Sequence, residues 1–130
     1  MNPLNVDMKR YAPIVVRIGI ALVFLWFGSN QIMAPGEWFG YLPGFVPEQS
    51  MALFVTVNGI AEIILGLLLV MGLFTRIVAL LLALHLLGII FFVGYNEIGV
   101  RDFGLMLAAV SIALHGPDAW CLDTRFSRKA

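Results

Sequence analysis

MALFVTVNGIAEIILGLLLVMGLF, residues 51–74, is apolar over almost its whole length, yet it holds an Asn, a Glu and three glycines. It exceeds the roughly 20 residues that a helix needs to cross a ~30 Å hydrocarbon core. On a helix, Asn58, Gly59, Glu62 and Gly66 share one face. A carboxylate halfway along such a run demands a polar neighbour, a proton or a ligand.

The rest of the chain supports the membrane reading. Hydrophobic residues make up 61% of the sequence and charged residues 12%, against about 45–50% and about 25% in soluble domains. A small soluble protein has too much surface for its volume to hide that much apolar area. Backbone groups in lipid must be satisfied internally, so the spans are helices or a closed barrel. Long unbroken apolar runs exclude barrel strands, which alternate. The expectation is an all-α, integral membrane four-helix bundle forming one domain over residues 1–130, with helices near 12–33, 50–73, 76–95 and 99–116. Arg101 and Asp102 leave the fourth the shortest clean apolar stretch. The first run is too long for a signal-peptide core and no small-residue cleavage site follows it. It reads as an uncleaved anchor, with Pro13 in its first turn.

Charge sets the expected orientation. Lys9, Arg10, Arg17, Arg76, Arg125, Arg128 and Lys129 fall on one side of four alternating spans, and Arg101 on the other. By the positive-inside rule both termini are cytoplasmic and the protein is a multi-pass component of a bacterial or archaeal cytoplasmic (inner) membrane. A near-zero net charge without a basic patch away from the membrane argues against nucleic acid as a partner. The lone Cys121 cannot form an intramolecular disulfide or a thiolate metal cluster, and it reads as inert. No nucleotide loop, zinc-ligand run or nucleophile elbow appears.

The outer loop APGEWFGYLPGFVPEQS, residues 34–50, is interrupted by Pro35, Pro43 and Pro47. Its aromatic residues suit the bilayer interface. It reads as an interfacial lid with a short helical turn, or as an entrance for a hydrophobic ligand such as a quinone.

Counting ~1.5 Å per residue from the cytoplasmic ends puts Glu62 roughly 18 Å deep, His85 roughly 14 Å and Asp102 roughly 21 Å. By the same count Arg101 and Asn58 lie at roughly 22–24 Å, and Asn30 with Gln31 at about 27–28 Å. The polar residues of all four helices therefore concentrate in the middle and outer half of the bundle. A lone charge there costs on the order of 3 kcal/mol on insertion scales. Arg101 is the first expected partner for Glu62 and His85 the second. The cluster is either a structural ion pair that fixes packing or a ligand and proton site. His85 reads first as a hydrogen-bonded structural residue and second as a quinone or proton partner. A bis-His haem within the chain does not fit this count, since His115 is displaced from His85 by roughly 12 Å along the membrane normal; no haem or metal is expected.

RIGIALVFLWFGSNQI, AEIILGLLLVMGLFTRIVALLLAL and HGPDAWCLD resemble the DoxX family of small four-helix bacterial and archaeal membrane proteins, over nearly the whole chain. The matching positions are Arg17, Gly19, Gly28, Glu62, Gly66, Gly72, Thr75-Arg76, Gly116-Pro117 and Leu122-Asp123. The chain departs from the family pattern at Gln31, where relatives commonly carry Lys, and at Asp118 and Cys121 in the closing motif. The resemblance implies association with membrane-bound oxidoreduction, as a subunit of thiosulfate:quinone oxidoreductases or a partner of redox-defence enzymes. The leading expectation is thus a small membrane subunit or anchor of a quinone-linked system. It is not catalytic alone, and Glu62, Asn58, His85, Arg101, Asp102, Gln31 and Asn30 form its quinone-binding pocket. Its expected partners are the lipid bilayer, redox enzyme subunits and further copies of itself. The alternatives are a structural or assembly protein and a small solute carrier.

Overall fold

The computed structural model describes residues 3–129, and side chains over 7–127. Arg128 and Lys129 of the charge count lie outside the described side chains. The described residues form five α-helices: α1 Pro3–Met33, α2 Met51–Met71, α3 Thr75–Val93, α4 Glu97–His115 and a short α5 Leu122–Lys129. Two 3-10 segments, Pro35–Tyr41 and Glu48–Ser50, occupy the outer loop. Four of the helices are long and apolar enough to cross a membrane. Large apolar side chains such as Leu53, Ile64, Ile77 and Phe91 stay exposed on the bundle surface, as lipid-facing helices require.

α1 starts earlier than the sequence suggests. Its 31 residues extend about 46 Å at ~1.5 Å per residue, well beyond a ~30 Å core. Pro13 therefore lies inside the helix rather than in its first turn, and denies the Lys9 carbonyl its helical donor. The preceding segment, with Lys9 and Arg10 exposed, continues the helix beyond the hydrocarbon.

α1 lies tightly on α2, and α3 on α4, whereas contact between these two pairs is sparser. The first pair closes through glycine. A Cβ placed on Gly28 would lie 2.7 Å from the Gly59 carbonyl oxygen, and one on Gly66 would lie 3.1 Å from Leu25. Gly59 and Gly66 thus face α1, and small residues let transmembrane backbones approach. Ile20, Ala21, Phe24, Leu69, Leu82 and Ile112 join all four helices in a buried apolar core.

α2 ends at Gly72, whose φ of +72° suits glycine. The Gly72 and Leu73 N–H groups return to the Leu69 and Leu68 carbonyls, the doubly bonded stop common at helix ends. Asn96 starts α4 by accepting from the Gly99 N–H at 2.9 Å.

Candidate functional site

Glu62 is 3% exposed and is a hub for three donors. Its Oε2 accepts from Gln31 Nε2 at 3.2 Å, and its Oε1 from Asn58 Nδ2 at 3.1 Å. His85 Nε2 lies 3.1 Å from the same Oε1. Asn58 Nδ2 also donates to Gln31 Oε1 at 2.7 Å. Gln31 comes from α1, Asn58 and Glu62 from successive turns of α2, and His85 from α3.

The expected Glu62–Arg101 pair does not form. Arg101 Nε and Nη2 donate to Oδ1 of its neighbour Asp102 at 3.1 and 3.0 Å. Its guanidinium lies 4.9 Å from the centroid of the Phe27 ring, within cation–π range. Asp102 is itself buried, 4% exposed, and takes this charge from its own helix. Glu62 has His85, the second expected partner, and two amides.

A cavity of about 630 Å³ joins these groups. Gln31, Asn58, Glu62, His85, Arg101 and Asp102 all line it. Asn30 does not: its amide turns back to the Trp26 carbonyl at 2.8 Å. Trp38, Tyr41, Leu42 and Pro43 of the outer loop close one end, with the Trp38 ring edge-on to Phe27 at 5.6 Å. The Nε1 of Trp38 is buried and has no hydrogen-bond partner among the described residues. The sequence marks Trp38 as an interfacial aromatic, and nothing in it signals a buried donor without an acceptor.

A second polar cluster sits beyond the apolar core, where α1 begins and α4 ends. Arg17, read from sequence as an orienting charge, is 1% exposed. Its Nε donates to Asp118 Oδ2 at 2.7 Å, and its Nη1 to the Leu69 and Val70 carbonyls at 2.7 and 2.6 Å. Burial works to raise the Asp118 carboxyl, but the Arg17 guanidinium and the Trp120 N–H outweigh it and hold it below the ordinary carboxylate range. Asp123 accepts from the Phe74 and Thr75 N–H groups at 2.9 and 2.8 Å and so caps α3 from a distant part of the chain. Burial opposes its ionisation as well, and these bonds overcome it and lower its carboxyl. Cys121 is wholly buried, and burial pushes its thiol up. A side chain at Gly72 would collide with Cys121.

The order of these features along the chain identifies its relatives. The profile of the DoxX family matches residues 12–95, more than half the sequence. The chain belongs to the DoxX family. It is also similar to an uncharacterized membrane protein of Mycobacterium tuberculosis, 26% identical with 90% of this chain and 82% of that protein covered. No solved structure matches it significantly. The family match includes α1, α2 and α3, and therefore three of the four cavity-lining helices; Asp102, Arg101 and the Arg17–Asp118 bond draw on residues beyond it.

The cavity's chemistry suits a quinone ring, a planar apolar body with carbonyl acceptors and no donors. Its volume falls within the ~300–1,000 Å³ typical of ligand pockets. Its lining is mainly apolar. Glu62 is already surrounded by donors and cannot itself donate when ionised. Arg101 and His85 are the side chains able to hold ring oxygens.

Proposed function

We propose that this DoxX family protein is a small membrane subunit of a quinone-linked oxidoreductase system, and that it holds a quinone ring in the cavity beside Glu62 and His85. The observation that carries this reading is the mainly apolar cavity of about 630 Å³ with the Glu62–His85 pair and Arg101 on its wall. A bound quinone supplies electron and proton transfer. The chain's own part is to orient the ring, exclude water and hold a proton between Glu62 Oε1 and His85 Nε2. Gln31 and Asn58 fix the carboxylate so that it presents the same oxygen to His85. We place the protein in the cytoplasmic membrane with both termini inside, supported by the exposed Lys9, Arg10, Arg76 and Arg125 at the end where the termini meet. Its redox partner is a second polypeptide.

Extraction of lipids after purification in mild detergent tests the reading. The wild-type protein retains close to one quinone per chain. Arg101→Gln and His85→Ala lose most of it. Asn30→Ala, outside the cavity, retains it. Wild-type protein that neither carries quinone nor takes up added quinone sinks the proposal.

A further inference from the structure

The two tight helix pairs leave α2 and α3 in loose contact, although they are joined by a short turn. The cavity reaches into that seam. Val57 and Ala61 of α2 and Leu84, Gly88 and Phe92 of α3 line it and are also exposed. Gly88 differs from the packing glycines: a Cβ added there would meet nothing within 4 Å, whereas one at Gly28 or Gly59 would strike backbone oxygen at 2.7–2.8 Å. A helical Gly in place of Ala costs about 1 kcal/mol, and no close helix contact at Gly88 repays it. Ala61 adjoins Glu62, and Gly88 follows His85 by one turn. The small residues therefore frame an opening beside the polar pair, whose His85 side chain is 28% exposed.

We infer that this opening is a lateral portal to the bilayer, through which an alkyl- or prenyl-tailed quinone enters ring first and leaves its tail in lipid. This rests on the quinone reading above and extends it by naming the route and the ligand class. Trp38, Tyr41, Leu42 and Pro43 line the outer end, and Phe24 and Leu86 of the core line the end toward the termini. The exposed wall on α4 carries the Arg101 guanidinium, a poor path for an apolar tail. The lining around the opening is Val, Ala, Leu, Gly and Phe, a passage for a chain in lipid and a barrier to a hydrated solute. The window lies near the middle of both helices, at the depth of acyl chains.

Gly88→Phe fills the opening without an existing contact to break, and Ala61→Phe fills it from the opposite wall. Each is placed in protein whose Trp26 and Trp120 are Phe, so that Trp38 alone reports, and is reconstituted in lipid nanodiscs. Quenching of Trp38 is followed on adding decyl-tailed benzoquinone, and separately in discs whose lipids carry brominated acyl chains. The portal requires that either Phe variant, folded by circular dichroism, slows quenching by the tailed quinone about tenfold or more. Equal rates in wild type and both folded variants overturn the portal and leave quinone binding intact. Should the wild type ignore the quinone, brominated chains decide the matter: quenching that the Phe variants relieve retains the portal and removes the quinone reading. Quenching by the chains that the variants do not change, or no quenching at all, removes the portal. If both Phe variants fail to fold, the same comparison is made with Gly88→Val.

Discussion

Arg17 and Glu62 are both buried charges in a bundle of lipid-facing helices, one on each side of the apolar core, and they are satisfied in different ways. Around Arg17 each guanidinium nitrogen has an acceptor, Asp118 balances the charge, and Asp123 caps a helix. Around Glu62 the carboxylate is saturated by two amides and His85, and it adjoins a cavity large enough for a ring. The first arrangement holds helices together; the second holds helices together and also lines a cavity. What separates the two buried charges lies in their surroundings, since both are equally hidden from solvent.

The largest expected effect breaks the first cluster. Arg17→Leu leaves Asp118 buried without its partner and the ends of α2 without their donor. It should destabilise the protein by roughly 3–5 kcal/mol, read as thermal unfolding in detergent. Arg17→Leu combined with Asp118→Leu should recover a large part of that loss, because no orphan charge remains. An unchanged melting temperature in the single variant would remove the clasp from this account.

A smaller stability effect is expected on the other side of the core. Glu62→Gln replaces an acceptor oxygen by an amide nitrogen facing donors, at a cost of about 1–3 kcal/mol. On the proposed quinone reading, ligand retention should fall further than stability does, because the negative charge beside His85 is lost. Equal loss of fold and ligand would make Glu62 as structural as Arg17. Together the two variants place the clusters on opposite sides of a plot of stability against bound ligand.

The smallest effect is in pH. Asp118 and Asp123 both have folded-state values below the ordinary one, so their contribution is complete above the unfolded carboxylate value of about 3.9. It is lost as pH falls through their folded values. The melting temperature should therefore hold from neutral pH to about 5 and drop below about 4. Asp118→Asn, already weakened, should show a shallower drop over the same window.

Much of this arrangement is legible in the sequence. Apolar run lengths give the four spans, and the shared face of Asn58, Gly59, Glu62 and Gly66 turns inward as helical periodicity requires. Depth counting also brings Gln31, Asn58, Glu62 and His85 into the middle and outer half of the bundle, within reach of one another's side chains, because rise per residue is constant along a helix. It does not choose among partners. Adjacent residues on a helix do not ordinarily face each other, so the Arg101–Asp102 pair is hidden from a reading by helix faces; it forms because a long arginine can curl back across one step. Asn30 shares the depth of Gln31 but points elsewhere, since a change of one residue turns a side chain by about 100°. The Arg17–Asp118 bond crosses 101 positions, and a loop residue's approach to a distant helix leaves no periodic trace. For the same reason Arg17 reads as one more positive charge near the membrane surface.

The Asp123 cap has a consequence for how the protein comes into being. A ribosome releases α3 long before it releases the residue that satisfies the first N–H groups of that helix. Until then two helical hairpins can insert, but the turn between α2 and α3 has neither the Asp123 carboxylate on its amides nor the Asp123 N–H on the Gly72 carbonyl at 3.0 Å. That joint thus closes only after all four spans have been made, which makes the emergence of Asp123 the stage at which a loosely inserted chain becomes a bolted one.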